Sequence, residues 1–203
     1  MTERNDDDSI EMAPDTPSAV RELAQACVAF VRKSVGIDLD FTPDTLPLLD
    51  HYLSQAREGK GEIHTLVAAA AGAYFGEVIR GQYPARWALG DESDHDSWRL
   101  EFEQVFLYLY PAVLARSVLE PDASSDAGFS VREQDRPTLA SALELLGEVD
   151  EDEFYRLSTR FDVLSSVAER LTAIRQKELG IEELPVIEPA VYARSIAADP
   201  TAN

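Results

Sequence analysis

Apolar residues recur at helical spacing in six stretches of the chain, and this periodicity predicts helices. The predicted helices cover residues 18–35, 42–57, 62–83, 111–119, 137–146 and 150–179. Thr42-Pro43 marks the start of the second helix and Asp150 that of the last, because these residue types suit the cap and the first turn. Gly36 and Gly180 follow the first and last helices, where a left-handed C-cap favours glycine.

The predicted helix at residues 62–83 is apolar nearly all the way round. One face carries large side chains and a carboxylate: Ile63, Leu66, Val67, Ala70, Tyr74, Glu77 and Val78. Another face carries small residues: Thr65, Ala69, Gly72, Ala73 and Gly76. Such a helix is expected to be buried. Each internal glycine costs a helix about 1 kcal/mol relative to alanine, so we expect another backbone to pack closely against the small face.

After this helix the pattern changes to a period of two, which predicts strands. Residues 86–89 form one strand, and residues 98–103 alternate like a half-buried antiparallel strand. Residues 105–110 predict a third strand, and residues 90–96 a hairpin loop. Residues 37–41 suit either a brief strand or an extended linker.

The predicted fold class is α+β, with five to six helices packed on a small antiparallel sheet of two to three strands. A chain of 203 residues, 45% of them hydrophobic, suits one domain, which we place at residues 17–179. Residues 1–16 predict a disordered acidic tail. Residues 121–135 are polar and predict a loop. Residues 180–203 contain three prolines and predict an extended tail whose apolar side chains are able to dock on the domain.

Composition excludes several classes of function. The net charge of −20, from 38 acidic and 18 basic residues, repels phosphate backbones and anionic membranes but permits a basic protein partner. No apolar run has the roughly 18 to 20 residues of a membrane span, and the acidic N-terminus does not resemble a secretory signal. The single Cys27 forms no disulfide within the chain and is interpreted as a buried apolar residue. We therefore expect a cytoplasmic protein that binds neither nucleic acid nor membranes.

Glu77 is the one weak candidate for a catalytic residue, because it lies among apolar neighbours. A buried carboxylate must be paired, hydrogen-bonded or protonated. It would serve acid–base chemistry if burial raised its pKa; the alternative, which we favour, is a structural ion pair. We expect Arg86 rather than Arg80 to be its partner, because Arg80 points to a different side of the helical wheel. His64 is a further candidate to act with it.

Asp91, Asp94 and His95 are weak candidates for metal ligands in the predicted hairpin loop. They lack the residue order of a calcium loop and the spacing of a zinc site, so we favour a solvated loop. His51 and His64 are interpreted as surface or core histidines. No phosphate loop, dinucleotide fingerprint or nucleophile elbow is present in the sequence, so no cofactor is predicted.

Three segments together resemble a family of uncharacterised bacterial domains: Leu39–Leu46, Gly72–Arg80 and the Arg86-Trp87 pair. The resemblance covers roughly residues 37–120. It implies that a Gly-x-Tyr-x-Gly-Glu-Val helix leads into a Trp-bearing strand and a small meander, and that this element belongs to the core. The family has no known activity, so no functional residue is transferred.

Two hypotheses about function remain open at this point. The leading one is a non-catalytic, acidic protein-binding domain, supported by the charge and by the lack of a catalytic set. The alternative is an enzyme or small-ligand-binding protein that uses Glu77 with His64 or an arginine.

Overall fold

Eight α-helices and four β-strands are present in the computed structural model, which describes residues 12–59, 61–91, 93–121, 128–145 and 150–198. The helices are α1 (Ser18–Val35), α2 (Leu46–Ala56), α3 (Glu62–Gln82), α4 (Pro111–Leu119), α5 (Arg136–Glu144), α6 (Glu151–Phe154), α7 (Leu157–Leu179) and α8 (Pro189–Ala198). The strands are β1 (Ala85–Ala88), β2 (Arg99–Phe102), β3 (Leu107–Leu109) and β4 (Phe129–Val131). No helix in this part of the chain combines the length and apolar character needed to cross a membrane.

The predicted α+β class is confirmed, but the predicted numbers of helices and strands were too low. The fourth strand lies in the segment that was predicted to be a loop. Its sequence, Phe129-Ser130-Val131, does alternate, but three residues are too few to stand out from a polar surrounding. The four strands form one antiparallel sheet in the order β1-β2-β3-β4.

The last long helix begins six residues later than predicted, at Leu157 rather than directly after the predicted cap Asp150. The short helix α6 precedes it, and the chain bends at Tyr155 and Arg156. A carboxylate from another helix explains the break: Asp50 of α2 accepts hydrogen bonds from the backbone N–H groups of Leu157 (2.7 Å) and Ser158 (3.1 Å). The carboxylate that caps the N-terminus of α7 is therefore distant from that helix in sequence.

Helix α3 lies at the centre of the fold, and two glycines set its distance from its neighbours. A Cβ atom on Gly72 would lie 2.5 Å from the backbone nitrogen of Ala112 in α4. A Cβ atom on Gly76 would overlap the indole ring of Trp87 in β1. The small face of α3 therefore packs closely, as the sequence predicts.

The first turns of α3 differ from the prediction. Ile63 and Leu66 were placed on the buried face, but their exposed fractions are 61% and 50%. Continuous burial begins at Val67. Helical periodicity identifies the residues that share a face, but not how far along the helix the neighbouring elements extend.

The C-terminal segment covers the outer face of the sheet. The predicted extended tail contains the helix α8, whose Tyr192 is fully buried. The Tyr192 hydroxyl donates towards the carbonyl oxygens of Phe102 (2.7 Å) and Val105 (2.8 Å) and accepts from the N–H of Leu107 (3.1 Å). Burial raises the pKa of Tyr192, so the hydroxyl keeps its proton.

At the other end, residues 1–11 of the predicted disordered tail lie outside the described residues. Met12 and Thr16, which the same prediction included, are buried. Met12 packs with Val20, Ala24, Ala73 and Trp98.

We expect Gly72→Ala and Gly76→Ala each to lower the free energy of unfolding by about 1 to 3 kcal/mol, because the added methyl group must displace Ala112 or Trp87. Gly81→Ala is the matched control, since its Cβ would lie 3.9 Å from the nearest atom. That variant should be more stable by about 0.5 to 1 kcal/mol. Urea unfolding followed by circular dichroism measures all three. An equal increase in stability from all three substitutions would show that no segment packs closely against α3 at Gly72 and Gly76.

We expect Tyr192→Phe to destabilise the protein by about 1 to 3 kcal/mol, because buried carbonyl groups lose their donor. Tyr83→Phe is the control, since Tyr83 packs on Phe102 and its hydroxyl has no hydrogen bond among the described residues. Hydrogen exchange should also show faster exchange of the Ile187 amide, which bonds Glu103. Unchanged stability and exchange would contradict docking through Tyr192.

Candidate functional site

The Glu77 carboxylate lies in the core and is held by three donors. Glu77 is 5% exposed. Its Oε1 accepts a hydrogen bond from Trp87 Nε1 (2.7 Å), and its Oε2 accepts one from Thr16 Oγ1 (2.7 Å). Arg80 Nη1 lies 3.1 Å from Oε1 and 3.4 Å from Oε2. The group links α3 to β1 and to the segment before α1.

Arg80, not Arg86, is the ion-pair partner of Glu77, which corrects the expectation from the helical wheel. The expectation was wrong because residues i and i+3 are neighbours on a helix surface, so the long arginine side chain reaches the carboxylate one turn back. Arg80 also donates to the carbonyl of Ala85 (3.0 Å) and to Asp15 Oδ1 (2.6 Å). Burial opposes its charge, but Glu77 and Asp15 raise the pKa of Arg80.

Arg86 lies on the other face of the sheet. Successive residues of a strand point to opposite faces, so Arg86 must point away when Trp87 points towards α3. Arg86 instead pairs with Glu101 (3.3 Å) and Glu103 (3.7 Å). The strand pattern in the sequence already carried this information.

These contacts favour a structural role for Glu77. Its two oxygens are occupied by Trp87, Thr16 and Arg80, so a substrate would have to displace a native donor. His64, the other residue considered for joint chemistry, lies 13 positions earlier on the same helix, which is about 20 Å at 1.5 Å per residue. The structure therefore does not bring the two together.

His64 has partners of its own. Its Nδ1 lies 2.6 Å from Glu120 Oε1, and its Nε2 lies 3.2 Å from the carbonyl of Ala56. It is 5% exposed and connects α3 to the ends of α4 and α2. His51 is exposed and bonds Gln55 within α2.

Each of the three candidate metal ligands makes a different contact within the loop. Asp91 Oδ1 accepts from the N–H (2.8 Å) and hydroxyl (2.6 Å) of Ser93. Asp94 accepts from the N–H of Asp96, and the His95 ring lies edge-on to Trp98 at 4.7 Å. Within the described ranges, no three His, Cys, Asp or Glu residues are grouped to hold a metal ion. These side chains order the loop before β2.

Asp50 is a buried carboxylate that sequence reasoning missed. It is 6% exposed and, besides the two N–H groups at the start of α7, accepts from Ser158 Oγ (2.6 Å). Burial raises the pKa of Asp50 although these hydrogen bonds favour its charged form. The signal was available, because Asp50 lies among the buried Leu46, Leu49 and Leu53, as Glu77 lies among apolar neighbours.

Two other polar groups in the core also serve the fold. The Tyr74 hydroxyl accepts from the N–H of Phe41 (2.9 Å) and lies 2.7 Å from Thr45 Oγ1. Phe41 has a positive φ of 58°, which this hydrogen bond helps to hold. Burial raises the pKa of Tyr74 to about 12. Cys27 is buried as expected, and burial raises the pKa of its thiol.

No protein-family model, curated protein or solved structure matches this chain. The resemblance to an uncharacterised bacterial domain family therefore stays a prediction.

We expect Glu77→Gln to lower the free energy of unfolding by about 2 to 4 kcal/mol, because buried Arg80 would lose its buried counter-charge and keep only the exposed Asp15. Glu62→Gln on the exposed first turn of the same helix is the control and should change stability by less than about 0.5 kcal/mol. Guanidinium unfolding measures both. Equal or higher stability of Glu77→Gln would contradict the structural role and favour a functional carboxylate.

Proposed function

We propose that this chain is a non-catalytic, acidic, cytoplasmic domain that binds a basic protein. The observation that carries the proposal is a pair of exposed apolar side chains, Ile63 and Leu66, on a helix that is buried further along. Three carboxylate side chains accompany them. We call this set the α3 patch; it comprises Glu58, Glu62, Ile63, Leu66 and Glu120.

The geometry of the α3 patch suits a protein partner. Ile63 and Leu66 are three residues apart, so they lie side by side on one helix face. Glu62 is exposed next to Ile63, and Gly59 lies against the Ile63 side chain, which brings Glu58 near. Glu120 is 55% exposed and is tied to the neighbouring His64. An apolar centre with a charged rim is the usual anatomy of an interface.

Charge determines the class of partner. The rim carboxylates and the net charge of −20 attract a basic segment and repel an acidic one. A helix with apolar residues at i and i+3 and with flanking Lys or Arg would match both parts of the α3 patch. Nucleic acids and anionic membranes would be repelled by the same field.

The enzyme alternative receives no support from Glu77, because its oxygens are already used by Trp87, Thr16 and Arg80. Glu77 lines none of four surface grooves, of which two lie beside the C-terminal ends of α7 and α8, one beside Asp50 and one beside Asp150. A protein-binding role needs only the α3 patch.

We expect the immobilised protein to retain basic proteins at low ionic strength and to release them near 1 M salt, where the Debye length is about 3 Å. Association rates measured with a retained, purified partner should fall steeply with salt, because charge mainly accelerates encounter. Absence of any salt-sensitive basic partner would contradict the proposal.

The double variant Ile63→Ser/Leu66→Ser should bind the partner at least about tenfold more weakly, since two apolar side chains are removed from the interface. Ile37→Ser is the matched control, because Ile37 is 43% exposed and lies after α1. Equal binding by both variants would place the interface elsewhere.

A further inference from the structure

A groove beside the C-terminal ends of α7 and α8 has the features of a ligand site. It consists of two adjoining cavities of about 210 Å³ and about 320 Å³. Both are lined by Phe106 and Arg132. We call it the α7–α8 groove.

Two arginines, Arg132 and Arg175, line the smaller cavity of this groove. The Arg132 guanidinium lies over the Phe106 ring, 5.0 Å from its centroid. Arg175 donates to the carbonyl oxygens of Gln104 and Pro185. Within the described part of the chain, neither arginine forms an ion pair. In a chain with 38 acidic and 18 basic residues, two neighbouring arginines that form no direct ion pair are unusual.

The positive charge of the smaller cavity is concentrated at Arg132 and Arg175. Burial and the nearby positive charge of Arg132 both lower the pKa of Arg175, so the two guanidinium groups repel each other. The walls also carry a third arginine, Arg136, and three acidic residues, Glu133, Asp135 and Glu178. Burial and the Glu178 charge raise the pKa of Asp135, whereas Arg132 lowers it. A single negative charge at Arg132 and Arg175 would offset their mutual repulsion, whereas a second charge on the same ligand would meet these carboxylates.

The rest of the lining is apolar. Ile174 and Leu179 are 41% and 51% exposed and line the smaller cavity together with Leu171 and Phe106. Tyr108, Val131 and Ile196 line the larger one. Ligand pockets commonly combine apolar walls with a few placed charges.

We propose that the α7–α8 groove binds a small monocarboxylic acid with an aromatic or medium-chain apolar body. The carboxylate lies at Arg132 and Arg175, because guanidinium groups bind carboxylates in a charge-assisted and often bidentate manner. The apolar body packs on Phe106 and Ile174. The site shares no residue with the α3 patch, so its test does not depend on the proposed function.

The experiment titrates the full chain with 3-phenylpropionate and with decanoate, followed by calorimetry and by NMR of side-chain methyl groups. We expect saturable binding and shifts at the methyl groups of Ile174 and Leu179. The neutral 3-phenylpropionamide and inorganic phosphate serve as probe controls and should bind at least about tenfold more weakly, since each lacks one of the two recognised features.

Two variants localise the binding. Arg132→Gln should weaken it by about tenfold or more, whereas Arg32→Gln, which removes the same charge from an exposed ion pair on α1, should not. Ile174→Asp should abolish it, whereas Ile37→Asp, at a similarly exposed position, should not. Circular dichroism verifies that the variants are folded, which is expected because Arg132, Arg32, Ile174 and Ile37 are all exposed.

Three results would overturn the proposal. The first is the absence of saturable binding by both acids. The second is binding of the amide or of phosphate as tight as that of 3-phenylpropionate, because then the charge or the apolar wall contributes nothing. The third is equal binding by Arg132→Gln and Arg32→Gln.

Discussion

The close approach of other segments to α3 is the constraint on which the core depends. Gly72 brings the backbone of α4 against the helix, and Gly76 admits the ring of Trp87. Interiors are packed at nearly crystalline density, so a missing Cβ determines the distance between two elements. The positions of α4 and of the first strand relative to α3 therefore follow from two glycines that are unfavourable for a helix in isolation.

Trp87 connects this packing to the buried charge. Its ring fills the space beside Gly76, and its indole nitrogen donates to Glu77. Gly76 and Glu77 thus both contact Trp87. Buried charges are costly unless they are fully paired, and here Arg80 and Thr16 supply the remaining donors. The pairing specifies where β1 and the segment before α1 meet the helix.

The sheet is covered on both faces, which explains its unusual composition. Arg86, Glu101 and Tyr108 are cross-strand neighbours that point away from α3. In a half-exposed sheet such a row would be solvated, but Glu101 is 2% exposed. The helix α8 lies over this row, and the Tyr192 ring faces Arg86 at 5.6 Å. The outer face is therefore a second, more polar core.

The helices were the elements that the sequence predicted best, because their signals are local. The bounds of α1 and α4 agree with the predicted ones, because Gly36, Pro111 and the apolar period act within one or two turns. The sequence also identified Glu77 as the carboxylate that does not belong among its neighbours. It did not identify the partners correctly, although strand alternation already placed Arg86 opposite Trp87.

Only the tertiary structure decided the features that depend on distant segments. Asp50 sets the start of α7 from more than 100 positions away, and α8 docks on strands that precede it by a similar distance. Ile63 and Leu66 are exposed because, within the described residues, no neighbouring element extends far enough to cover them. Periodicity states which residues share a face of a helix or strand. What lies against that face is determined by long-range packing, which no short window of sequence contains.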